Sequence, residues 1–168
     1  NFSDSIRSEI SLICNKIFVL EDICFLDIRI KQKEMDGKIH IFSILRKKYL
    51  QKTPEELVRQ CFVNYLISNK GYPKSLMKEE YFLTYNGQKK RADLVVFDQN
   101  LKAQLLAEFK AQSVSLSQSA ALQIAKYNFH MQVPILVISN LDQTYIFKKK
   151  QEEFIGLADI PLYKNLTL

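Results

Sequence analysis

The chain has 168 residues, 47% of them hydrophobic and 25% charged, enough for one compact domain with a real core. Three cysteines and two histidines, with no CxxC pair, argue against a zinc site or a disulfide framework and fit a reducing cytoplasm. The net charge of +6 is gathered at Arg46–Lys48, Lys89–Arg91 and Lys148–Lys150; such runs are most often solvated surface, and the partner that would suit them best is a phosphate backbone.

Taken in chain order, Ile6, Ile10, Ile13, Ile17 and Leu20 recur at helical spacing and predict an amphipathic helix over 3–20, with Ser3 or Asp4 as its N-cap. The apolar stretch at 10–20 is broken by Asn15 and Lys16 and is too short to span a bilayer, so no membrane segment is expected. Phe25–Lys31 and Lys38–Ser43 alternate apolar and polar around Asp36–Gly37, a hairpin signal.

Thr53–Pro54–Glu55–Glu56 reads as a helix start, with Thr53 as cap, Pro54 at the first position and Glu56 as the returning half of a capping box. The helix is expected to run to about Ser68 and to bury Val58, Cys61, Phe62, Tyr65 and Leu66. At about 100° per residue, Glu55 falls about 70° from the centre of the Val58, Cys61, Phe62 and Tyr65 stripe, and Glu56 about 170° away. Glu55 is therefore expected to face the sheet or, alternatively, to serve only as a favourable charge at the helix N-terminus.

Three strand-like runs follow, Glu79–Tyr85, Ala92–Phe97 and Leu105–Lys110, joined by turn formers at Asn86–Gly87 and Asp98–Asn100. A helix over 117–130 then leads to strands at Pro134–Ser139 and Thr144–Lys148. That helix is long enough for a crossover, so the 134–139 strand is expected to lie parallel to the 105–110 strand. The fold class is α/β (α+β), an α-β-β-β-α-β core on a central mixed sheet with an added N-terminal helix and hairpin. Residues 1–24 read as an addition and 25–168 as the main domain, with no repeat or linker between them.

The chemistry lies in "LLAEFKA", residues 105–111. Alternation puts Leu106, Glu108 and Lys110 on one face, and Asp93 stands at the start of the neighbouring strand. If the two strands pair, Asp93 and Glu108 converge. Two buried carboxylates repel and cost several kcal/mol each before compensation, which a divalent cation would offset. Hard oxygen donors suit Mg²⁺ or Mn²⁺, and a lysine beside the ion can orient a water or a phosphate oxygen. The bland alternative is a solvent-facing Glu108–Lys110 ion pair with Asp93 in a turn.

The ordered run "TPEELVRQCFVNYLI…YPKSL…KKRADLVVFD…LLAEFKA…QIAKYN" resembles the N-terminal nuclease domain of type I restriction enzyme R subunits, a branch of the PD-(D/E)xK nucleases, over roughly Phe25–Tyr163. The resemblance implies a restriction-endonuclease-like fold and DNA cleavage in which Asp93, Glu108 and the Phe109 carbonyl hold Mg²⁺ or Mn²⁺ and Lys110 steadies charge. It also implies supporting roles for Gln123 and Tyr127 as a QxxxY motif, and for a first-helix glutamate, here Glu55. Gln123 and Tyr127 read equally as a locally satisfied pair on the buried helix face. Lys89, Lys90, Arg91 and Gln112 are the expected DNA contacts, and other restriction-modification subunits the expected partners.

The chain has no GxxxxGK[ST] loop, so no ATP-driven motor is expected within it. The alternative is a non-cleaving DNA-binding or partner-docking module with a relic site, and a third reading is an interaction protein using the N-terminal helix. Residues 1–24 are read as an added helix or an oligomer contact, and the oligomeric state is left open.

Overall fold

The computed structural model describes residues 28–85, 87–116, 118–151 and 153–166. The helix expected over 3–20 and the start of the strand expected at Phe25 lie outside the described residues. Three strands, β1 (Gln32–Met35), β2 (Lys38–Ser43) and β3 (Lys48–Gln51), form a small antiparallel sheet in that order. Asp36 and Gly37 take φ of 50° and 70°, the positive pair that a type I′ turn requires, and they set Met35 opposite Lys38. The first strand of the hairpin is therefore 32–35, and of the strand expected over 25–31 the described part, 28–31, lies outside it. A two-residue turn forces the strands to abut it, whereas β1 is exposed throughout and carries no apolar alternation to reveal it. β3 was not expected at all.

Helix α1 (Pro54–Lys70) starts as its sequence dictates: Thr53 Oγ1 accepts from the Glu56 backbone N–H at 3.1 Å, Pro54 opens the first turn and Gly71, at φ 72°, closes the end. Only half of the capping box forms. The Thr53 N–H donates to the Gln51 carbonyl, and the Glu56 carboxylate turns instead to Arg59 and Gln60. The apolar face of α1 is Val58, Phe62, Val63, Tyr65 and Leu66, whereas Cys61 is only half-buried.

The main sheet has the order β4-β5-β6-β7-β8-β9, built from β4 (Met77–Tyr85), β5 (Gln88–Phe97), β6 (Ala103–Phe109), β7 (Ile135–Ser139), β8 (Thr144–Lys150) and β9 (Glu153–Gly156). Helix α2 (Gln118–Met131) carries the chain from β6 to β7, which pair in parallel, and the other pairs are antiparallel. The α-β-β-β-α-β order and the mixed sheet are as expected, and β9 is an addition at the sheet's edge.

Alternation divides the core between the two faces. Leu94, Val96, Leu105, Ala107 and Phe109 pack with Val58, Phe62 and Leu66 of α1, while Val95, Leu106, Leu136 and Ile138 pack with Ala121, Ile124 and Ala125 of α2. Each large side chain buried this way contributes about 1.5–3 kcal/mol. Among the described residues no helix is long and apolar enough to cross a membrane.

Candidate active site

β5 and β6 pair with Leu94 opposite Ala107, where the ladder ends one residue short of Asp93 and Glu108. Glu108 points to the α2 side with Leu106, whereas the Asp93 carboxylate reaches Arg59 of α1. At the ladder's end the Asp93 side chain substitutes for a strand partner: its Oδ2 accepts the Phe109 N–H at 2.8 Å. This anchors Asp93 on the strand that ends in Glu108 and Phe109, immediately before Lys110.

Glu108 is 3% exposed. Its Oε1 accepts from the Gln123 amide of α2 and lies 3.4 Å from the Lys110 ammonium, which is 3.3 Å from Gln123 Oε1. Its Oε2 is buried with no hydrogen-bond partner. Burial first, and then the Asp93 charge, push the Glu108 carboxyl up to about 8 against the pull of Lys110 and Arg59. A carboxylate with an orphan buried oxygen beside a second carboxylate is an incomplete arrangement, and it fits a hard divalent cation. Asp93, Glu108 and the Phe109 carbonyl are the donors that could hold one. Among the described residues no group of three or more His, Cys, Asp or Glu side chains is arranged for a metal, so such an ion would keep water ligands.

On the other flank Arg59 of α1 organises the acids. Its Nη1 donates to Glu56 at 2.7 Å and lies 3.6 Å from Glu80, and its Nη2 donates to Asp93 at 3.0 Å. Burial opposes its charge, but Glu56, Asp93, Glu80 and Glu79 outweigh burial and hold the guanidinium above its usual range. Gln60 bridges Glu56 and Glu79 at 2.8 and 2.6 Å, and Glu79 also accepts from Ser43 at 2.9 Å. Burial raises the Glu79 carboxyl, with those two hydrogen bonds opposing. Glu80, at φ 50° in β4, pairs with Arg46 at 2.8 Å and Arg91 at 3.3 Å. A non-glycine residue in that region stores roughly 1–3 kcal/mol of strain, which tends to persist at functional sites.

Among the residues expected from sequence, Asp93, Glu108, Lys110 and Gln123 meet. Tyr127 lies one turn beyond Gln123 on α2, and its side chain is outside the described residues. Glu55 is corrected: it is exposed, and Glu56 is the buried first-helix glutamate. Rotation of the apolar arc does not explain this, since Val63 and Leu66 move its centre toward Glu55; it is Arg59 and Gln60, three and four residues on, that draw Glu56 inward. Arg59, Gln60, Glu79 and Glu80 were missed. The readable signals were the Glu56-x-x-Arg59-Gln60 spacing and the paired acids at the start of the strand before Asp93.

Lys89 and Lys90 are exposed at the start of β5, and Arg91 is committed to Glu80. Gln112 donates to Asp142 at 2.7 Å and also lines a cleft of about 630 Å³ with Lys38, Lys52, Pro54 and Ser113. The cleft opens beside the small sheet and the start of α1. The family model for the Type I restriction enzyme R protein N terminus matches residues 54–161. No curated protein matches the chain.

Proposed function

The chain belongs to the family of type I restriction enzyme R protein N-terminal domains, and from that premise we propose that it is a metal-dependent endonuclease domain that hydrolyses DNA phosphodiester bonds. The observation that carries the reading is the meeting of Asp93, Glu108, Lys110 and Gln123, with the Glu108 Oε2 buried and unpartnered. Mg²⁺ or Mn²⁺, held by Asp93, Glu108 and the Phe109 carbonyl, would supply Lewis-acid polarisation of the scissile phosphate and a more acidic water. The protein's own residues do the rest. Gln123 holds Oε1 of Glu108 so that Oε2 remains the open ligand, and Arg59 and the Phe109 N–H fix Asp93. Lys110, its side chain 25% exposed, can meet a phosphate oxygen and stabilise the charge that develops as water adds to phosphorus and a P–O bond breaks.

DNA would be drawn by the exposed Lys89 and Lys90 and by Lys38 and Lys52 of the cleft, and other restriction-modification subunits would be its protein partners. A soluble, cytoplasmic setting agrees with the reduced cysteine chemistry expected of the sequence. A second reading, a non-cleaving DNA-binding or docking module, draws support from one observation: both Asp93 oxygens already accept a hydrogen bond. Incubation of the chain with supercoiled plasmid and with single-stranded DNA in Mg²⁺ or Mn²⁺ separates the two. Nicking that disappears in Asp93→Ala and in Glu108→Ala supports the nuclease. Salt-sensitive binding without cleavage in either ion supports the module.

A further inference from the structure

Arg59 touches the acids of three separate elements. It bonds Glu56 within α1 and Asp93 on β5, and it lies within ion-pair reach of Glu80 on β4. Its side chain is 8% exposed, and its Nε–H is buried without a hydrogen-bond partner. A guanidinium serving only as packing or as a helix-surface ion pair would not leave a donor orphaned in order to reach a third carboxylate. Glu80 adopts a strained backbone within reach of the same group. Each carboxylate oxygen has two acceptor directions, so Asp93 retains acceptor capacity beyond Arg59 and the Phe109 N–H.

We propose that Arg59 is the site's built-in counter-cation: in the metal-free protein it supplies the positive charge that Asp93, Glu56 and Glu80 require, and it thereby sets how strongly the neighbouring site takes a divalent ion. The inference rests on the metal-binding reading above. Charge of the same sign placed beside the same acids is partly redundant. Arg59 therefore makes the protein less dependent on metal for stability and weakens the affinity for it.

The test compares thermal unfolding of wild type, Arg59→Met and Arg59→Lys in EDTA and in Mn²⁺, with Mn²⁺ affinity measured by calorimetry. Arg59→Met should unfold on the order of 10 °C lower in EDTA. It should gain more from Mn²⁺ than wild type does and bind Mn²⁺ on the order of tenfold more tightly. Arg59→Lys, which keeps the charge but not the fork, should stay closer to wild type in EDTA and show a smaller Mn²⁺ gain than Arg59→Met.

An Arg59→Met chain that fails to fold in EDTA but folds in Mn²⁺ also supports the proposal. If it folds in neither, Arg59→Lys decides: a variant near wild type in EDTA upholds the counter-cation, and one that also fails overturns it. An equal Mn²⁺ gain and affinity in wild type and Arg59→Met overturns it as well, leaving Arg59 a structural residue. None of these readouts needs cleavage. Loss of DNA nicking with the expected Mn²⁺ behaviour therefore rejects the nuclease alone, while nicking with an unchanged Mn²⁺ gain rejects only the role of Arg59.

Discussion

The two halves of the carboxylate cluster are built on opposite terms. On the α1–β4 side Glu56 and Glu80 have arginine partners and Glu79 has two hydrogen-bond donors, so each acid is compensated within the fold. On the β6–α2 side Glu108 has one oxygen served by an amide and a lysine at 3.4 Å, and the other by nothing. The first half resembles a structural ion network and the second a site awaiting a ligand. Asp93 belongs to both, since Arg59 holds one oxygen and the Phe109 N–H the other. Low exposure alone therefore does not distinguish a structural acid from a reactive one; the distinction is whether its oxygens are satisfied.

The largest expected effect removes the lysine on the open side. Lys110→Ala should lower the DNA cleavage rate roughly 10²–10³-fold while leaving the fold intact, measured as initial nicking rates in saturating Mg²⁺. A loss under about threefold would detach Lys110 from the chemistry and weaken the contrast.

A sharper test uses opposite signs on the two halves. The Glu108 carboxyl is raised to about 8 in the folded protein, above its unfolded value, so between about pH 4.5 and 8 the folded state binds more protons and metal-free stability falls as pH rises. Glu108→Gln should remove that slope and stabilise the metal-free protein at pH 8 by a few kcal/mol, with the gain shrinking toward pH 5. Glu56→Gln should instead destabilise by about 1–3 kcal/mol, because a partner of Arg59 is lost. Urea unfolding in EDTA across pH reads both, and the same sign for both would break the comparison.

Much of this is legible in the sequence. Alternation put Glu108 and Lys110 on one face, and the turn formers at Asp98–Asn100 made the hairpin that pairs the strands of Asp93 and Glu108. Thr53 and Pro54 marked the start of α1 because capping is local. The Arg59 network was not legible, since its contacts span 34 residues from α1 to β5 and no short-range pattern encodes them. Glu55 and Glu56 were exchanged for a related reason: the partners that turned Glu56 inward were polar residues on the buried arc, which a hydrophobic stripe does not count. β1 escaped because a fully exposed edge strand has no burial to write into its sequence.

Smaller effects bound the account. Thr53→Ala should cost about 1 kcal/mol by urea unfolding through the lost cap, equally with and without divalent ions. Replacing both Lys89 and Lys90 by alanine should weaken DNA binding and flatten its salt dependence by a slope of about 2, without changing Mn²⁺ affinity.

The central claim is that Glu108 is an open metal ligand, and calorimetric titration of Mn²⁺ at pH 7, repeated in buffers of different ionisation enthalpy, tests it most directly. With its carboxyl raised to about 8, Glu108 carries a proton at that pH in the metal-free protein, so binding should release close to one proton and the apparent heat should vary with the buffer. Glu108→Gln should lose both the binding and the proton. A folded wild-type protein that takes up no Mn²⁺, with or without DNA, would contradict the claim.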